Sequence, residues 1–243
     1  MGLCALALGA QEVQKLEYAC PEDDIRDFGL TCSEAEPCRV FLELSGVDAS
    51  GSTVFLSGNL HTDQTTLFGI LLSTDDGGKT WTEPAKRLRS ATLEEIQFAD
   101  LQHGWVSGVK LEPLPRDPFL LATSDGGKTW RVRPMFEDAH FGSIQQFWFD
   151  SAKSGELILD RSQGSTKSYE MYGSMTGGDT WEIKEATRTQ PKLAKARPRE
   201  SGTWRLRVDA PAKAQRVEKR TFTANGERWE TIASFSVIAA DCK

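Results

Sequence analysis

The chain has 243 residues, 39% of them hydrophobic and 26% charged, with a formal net charge of −6. That length and composition support one or two domains with a real core and exclude wholesale disorder. No run reaches the roughly 18 apolar residues of a membrane-spanning helix, and the net acidity argues against a generic nucleic-acid binder.

Residues 1–10, MGLCALALGA, are small and apolar and end where Gln11-Glu12 begins polar sequence. They read as a signal-peptide remnant with Ala7 or Ala10 at the cleavage site, which places the mature protein outside the cytoplasm, periplasmic or secreted. Residues 11–37 then form a cysteine-containing N-terminal extension. Once Cys4 leaves with the signal, Cys20, Cys32, Cys38 and Cys242 remain. Four cysteines allow three pairings. The preferred one joins Cys32 to Cys38 in a short loop and Cys20 to Cys242 across the ends. The spacings do not make the paired CxxC knuckles of common zinc sites.

From residue 38 onward the sequence repeats itself. Thr74-Asp75-Asp76-Gly77-Gly78-Lys79-Thr80-Trp81 is followed by Thr123-Ser124-Asp125-Gly126-Gly127-Lys128-Thr129-Trp130. A third copy is Ser174-Met175-Thr176-Gly177-Gly178-Asp179-Thr180-Trp181, and a worn fourth is Phe222-Thr223-Ala224-Asn225-Gly226-Glu227-Arg228-Trp229. Successive tryptophans are 49, 51 and 48 residues apart. Each octet reads as a tight hairpin loop. Its glycines supply positive φ, its Ser, Thr and Asp side chains bind backbone N–H groups, and its Trp packs down as the next strand begins. Apolar runs enter the loops at Leu67–Leu72, Phe119–Ala122 and Tyr169–Tyr172.

A second landmark lies upstream of the octets. Phe98, Gly104 and Trp105-Val106-Ser107-Gly108 have counterparts at Phe149, at Gly155 and at Phe55-Leu56-Ser57-Gly58. Each unit thus reads strand, turn, strand, loop, strand, octet, strand. Four strands in about 50 residues make one propeller blade. The expected fold is all-β: a propeller of about four four-stranded blades over residues 38–243. An irregular fifth blade could be assembled from the N-terminal segment and Phe235–Ala239.

The octet S/T-x-D-x-G-x-x-W resembles the Asp-box, or BNR repeat, of sialidase-superfamily propellers. The Phe-ending strand followed by Asp and His-Gly-Trp resembles the Ycf48/HCF136-like group of photosystem II assembly factors. The resemblance implies a structural role for Thr74, Asp76, Gly78, Trp81, Thr123, Asp125, Gly127, Trp130, Ser174, Gly178, Trp181, Gly226 and Trp229. It places each box between the third and fourth strands of a blade. Thr176 and Ala224 stand at the Asp position, so those two loops should be less well tied.

Catalytic chemistry is weakly signalled. A sialidase needs an arginine triad and a Tyr–Glu nucleophile pair, yet Tyr169 and Glu170 are adjacent and point to opposite faces of a strand. Asp100, Asp150 and Glu156 could serve a glycosidase, but Asp100 and Asp150 recur at one repeat position and read better as turn residues. Gly78-Lys79-Thr80 and Gly127-Lys128-Thr129 lack the upstream glycine of a P-loop. His61, His103 and His140 are single, so neither a metal nor a cofactor is expected.

The charge is uneven. Residues 188–220 hold eleven basic and three acidic residues, a net +8, which leaves −14 on the rest of the chain. Arg197, Arg199, Arg205 and Arg207 are the candidates for a patch that docks an acidic partner. The expected function is an exported, non-catalytic propeller that binds another protein or helps it assemble. The alternative is a carbohydrate-binding protein or glycosidase on the same scaffold.

Overall fold

The computed structural model describes residues 12–112, 116–138, 140–193, 203–223 and 226–243. The expected signal segment, together with Arg197 and Arg199, lies outside them. A short strand β1 (Val13–Gln14) and a single-turn-scale helix α1 (Glu22–Asp27) precede four sheets. The first sheet is β2 (Cys38–Ser50), β3 (Thr53–His61), β4 (Thr66–Thr74) and β5 (Leu88–Arg89). The second is β6 (Ala91–Phe98), β7 (Gly104–Lys110), β8 (Asp117–Thr123) and β9 (Arg131–Pro134). The third is β10 (Ser143–Phe149), β11 (Gly155–Asp160), β12 (Tyr169–Ser174) and β13 (Glu182–Thr187). The fourth is β14 (Trp204–Asp209), β15 (Ala214–Thr223) and β16 (Gly226–Ser236), and β17 (Ile238–Cys242) closes the chain.

Within each of the first three units the strands pair antiparallel in sequence order, as a blade requires. This is a β-propeller architecture of four blades. The sequence allowed a fifth, but the material for it is used elsewhere. Val13 and Gln14 pair in parallel with Ser234 and Phe235, so β1 becomes the outer strand of the fourth sheet. Strand β17 leaves the fourth sheet and pairs with Cys38–Phe41 on the free edge of β2. The ends of the chain therefore lock the fourth and first sheets together.

Strand β4 is buried on both faces, which explains its near-continuous apolar run. Leu56, Leu60, Ile70 and Leu72 pack with Val217, Ala233 and Phe235 of the fourth sheet. From the opposite face of the first sheet, Phe55 and Leu71 pack with Leu93, Ile96 and Phe98 of the second. Trp105, Leu120 and Ala122 then pack with Phe147, Phe149 and Leu157 of the third. The outer face of the third sheet holds a smaller cluster in which Leu193 covers Ile158 and Tyr169. Tyr18, Leu30 and Phe28 join the core of the first sheet, so the residues before β2 are packed against the blade and do not hang free.

Two disulfides form, Cys20–Cys242 and Cys32–Cys38. Such bridges persist in oxidising compartments. No helix among the described residues is long and apolar enough to cross a membrane.

Candidate functional site

The first three octets lie between the third and fourth strands of their sheets and share one hydrogen-bond scheme. In the first, Asp76 accepts from the Lys79 and Thr80 backbone N–H groups and from the Thr80 hydroxyl at 2.6 Å. Thr74 Oγ1 accepts from Gly78 N–H at 3.0 Å, and Trp81 Nε1 donates to the Gly78 carbonyl at 3.1 Å. Asp125, Thr123 and Trp130 repeat this arrangement on Thr129 and Gly127. In the third copy, Thr176 Oγ1 takes the Asp's place on Thr180, and the buried Trp181 Nε1 finds no partner. The second glycine of each octet has φ near +90°, a conformation open to glycine. A Cβ on Gly127 would sit 2.2 Å from the Phe55 ring of the preceding sheet. These loops therefore lock each blade to its neighbour.

The fourth copy is built differently. Thr223 and Gly226 face each other across the turn between β15 and β16, and Trp229 pairs with Arg220 inside the sheet. This stretch joins the second and third strands, so Gly226 and Trp229 do not occupy the place of the other octets. Here the antiparallel pairing of β15 with β16 outcompetes the octet geometry.

The Asp125 carboxylate is held at about 2 by the Thr129 hydroxyl and backbone N–H. Asp76 is likewise held well below the usual carboxylate range, chiefly by Thr80. A carboxylate whose value drops on folding stabilises the native state above its unfolded value near 4 and loses that contribution as the pH falls toward 2. Asp125→Ala is expected to cost about 1 kcal/mol, as loss of a turn cap does, and to flatten the acid limb of the stability curve. Thr176→Asp should raise the melting temperature. Thermal unfolding at several pH values between neutrality and pH 3 measures both.

A cavity of about 870 Å³ opens between strands of the fourth, first and second sheets. One wall is acidic, with Glu43 from β2 and Glu94 and Glu95 from β6. The other is basic and aromatic, with Trp204, Arg205 and Arg207 from β14 and Lys219 and Arg220 from β15. Glu94 and Glu95 stand in a bulge of β6, because pairing skips from Leu93 to Ile96. Strand β2 is bulged beside it, between Leu44 and Gly46. Bulges re-aim side chains and are common next to active sites. Serines pin this one. Ser57 donates to the Glu94 carbonyl, Ser45 donates to the Leu93 carbonyl at 2.6 Å, and Ser107 accepts from Glu95 N–H at 3.1 Å. Ser57 and Ser107 belong to the repeat landmark of the first two blades, which marks the strands but not the cleft they border.

Of the arginines expected to form a docking patch, Arg205 pairs with the buried Glu218 at 2.6 Å and stacks on Trp229 at 4.2 Å. It is a fixed part of the wall and not a free docking charge. Arg216 is paired with Asp209. Arg207 is exposed and has no described partner.

Other candidates are accounted for locally. Asp100 accepts from Gln102, His103 N–H and the His103 ring, while Glu156 pairs with Lys184 at 2.6 Å. The tyrosine that meets Glu170 is Tyr172, at 2.7 Å, and not the adjacent Tyr169, because residues two apart share a strand face. Arg161 holds the same carboxylate at 3.2 Å. Burial, then Glu170, push the Tyr172 hydroxyl up to about 12. Among the described residues no three His, Cys, Asp or Glu side chains gather as a metal site.

No family model matches the sequence, and no curated protein matches it. Solved structures similar to the chain include a polysaccharide lyase of family PL25, an ulvan lyase, at 9% identity and a TM-score of 0.44. The same lyase bound to -[GlcA(1-4)Rha3S]- gives 9% identity and a TM-score of 0.43. Each match covers 86% of this chain and 56% of the lyase, so the chain spans just over half the length of these neighbours. These neighbours are polysaccharide-degrading enzymes. The expectations of a non-catalytic, protein-binding assembly factor and of a chain without enzyme activity find no counterpart among these neighbours and are withdrawn.

Proposed function

We propose that this protein is carbohydrate-active: an exported, Asp-box-type propeller that takes a saccharide chain into the cleft between its inner strands and binds or degrades it there. The observation that carries this reading is the cleft's two-sided chemistry. A cavity of about 870 Å³ is large enough for several sugar rings. Carboxylates accept hydrogen bonds from sugar hydroxyls, guanidinium groups donate to ring and exocyclic oxygens, and an indole packs on the apolar face of a pyranose. The Asp-box assignment is supported by the shared hydrogen-bond scheme of the first three octets. The extracytoplasmic assignment is supported by the two disulfides.

The experiment is to incubate the purified protein with a panel of neutral and acidic polysaccharides. Binding is followed by affinity electrophoresis, and cleavage by new reducing ends and by the ultraviolet absorbance of an unsaturated sugar. Glu94→Gln is expected to weaken binding or turnover by about tenfold or more, in line with loss of a charged hydrogen bond. Absence of any bound or cleaved saccharide would overturn the proposal.

A further inference from the structure

The cleft follows β2 from Glu43 to Ala49, roughly 20 Å of strand at about 3.3 Å per residue, and neither end of it is bare. At the far end stands a ribbon of the fourth sheet. Gln215, at the start of β15, bonds the Leu42 and Leu44 backbone, whereas Ile232 of the paired strand lies against Gly78 of the first octet. Strand β15 therefore runs toward the octet end. Strand β14 pairs with it only as far as Lys219, and Thr221–Thr223 continue with Gly226–Arg228 as two strands alone. Phe222 on this ribbon is 71% exposed, the one exposed aromatic ring among the described residues. It stands two residues from Arg220, which lines the cleft, so the two share a strand face. The Arg220 guanidinium lies 5.5 Å from the Phe222 ring centroid and steadies it at the rim. At the Glu43 end a second cavity, about 450 Å³, shares Glu43 and Glu94 with the first and reaches the loop after β3. Asn59 in it is spent on the Leu93 backbone, but Asp63 and Gln64 are exposed with no described side-chain partner.

Resting on the carbohydrate reading above, we infer that the ligand is a long saccharide chain held by its interior units, which passes through the cleft and out at both ends, stacking one sugar on Phe222 and seating another against Asp63 and Gln64. The C–H face of a pyranose meets the electron-rich face of a phenyl ring. Arg220 already holds that ring in place, so little ordering cost remains when the sugar arrives. One ring set among Thr221, Thr223 and Glu227 matches the size of a sugar face and falls far short of the area a protein interface buries. At the other end the Asp63 carboxylate accepts from sugar hydroxyls, and the Gln64 amide both donates and accepts. A short oligosaccharide fills the cleft and touches neither end.

The test is titration calorimetry of the intact protein with three ladders, from a neutral glucan, a galacturonan and a sulfated galactan. Each is cut to lengths from about two to about ten sugar units, short of and beyond what the cleft holds. In the series that binds, the long members should bind at least about tenfold tighter than the short ones. Phe222→Ala should lose about tenfold for the long members and nothing for the short, and Phe222→Trp should keep the affinity. Asp63→Ala should lose about threefold for the long members alone, and the two losses should add, because the sites lie apart. Both positions are exposed, so the melting temperature of each variant should match the parent's. Equal binding of short and long members, or unchanged long-chain affinity in Phe222→Ala, overturns the inference and leaves the carbohydrate reading standing. Sedimentation covers the rival occupant: if Phe222→Ala changes the oligomeric state and not the saccharide affinity, the ring belongs to a contact with a second copy and the inference is wrong. Failure of every saccharide to bind overturns both.

Discussion

Replacing Cys20 and Cys242 together by serine is expected to lower the unfolding free energy by about 3–5 kcal/mol. The two residues are 222 apart in sequence, and their Cα atoms lie 5.4 Å apart. Cross-linking so long a loop removes much of the unfolded chain's freedom, and the cost of losing it grows with loop length. Position adds to the effect. Cys242 is buried at the end of β17, the strand that carries the chain from the fourth sheet onto β2. Without the bridge, β17 and the segment around Tyr18 are held by pairing and packing alone. The Cys32–Cys38 bridge closes a loop of only six residues' separation, so its removal should cost about 2 kcal/mol. Urea unfolding of both double variants separates them. If the long-range variant is no less stable than the short-loop one, the closing role of the bridge is wrong.

Trp105→Ala should be comparably severe, at about 3–5 kcal/mol. Trp105 is 2% exposed and stacks flat on Phe149 of the third sheet, with ring centroids 3.7 Å apart. Its Nε1 also donates to the Gly177 carbonyl at 2.9 Å, so one side chain joins the second sheet to both the core and the octet of the third. Truncation leaves a large cavity between two blades and strips a buried carbonyl of one donor, although Arg133 also reaches that carbonyl at 2.9 Å. Trp105→Phe keeps the stack and loses the hydrogen bond, and should cost about 1 kcal/mol. Equal losses in the two variants would show that the hydrogen bond, not the packing, joins the blades.

The contrast between these residues shows what could be read in advance. Trp105 is visible because it recurs one period from Phe55, and Phe55 is the ring that Gly127 packs against. The octets are visible because each is a local device: a carboxylate, a hydroxyl and two glycines within eight residues decide its shape. The fourth copy resembles an octet in sequence, but the long antiparallel pairing of β15 with β16 takes up Thr223, Gly226 and Trp229 instead. Tyr172 was passed over for Tyr169, although two-residue spacing is what brings side chains together on a strand. Glu94 and Glu95 look like ordinary surface residues of a strand. Only the skipped pairing between Leu93 and Ile96 turns them toward a cavity.

Length, composition and charge opened on a mildly acidic globular chain of uncertain domain count. The amino-acid sequence by itself determined the strand–turn–strand unit, its period and the octet loops, because hydrophobic alternation and turn chemistry act over a few residues. It also narrowed the cysteine pairing to three choices. The tertiary structure alone decided the rest. It limited the blades to four by spending both chain ends on strand pairing. It turned Arg205, Arg216 and Arg220 of the basic stretch into ion pairs, and it set Arg207 and Arg220 across a cleft from Glu43 and Glu94. Those groups lie more than 100 residues apart in the chain, so no local pattern records their meeting. Only the packing of three sheets around a common interior brings them together.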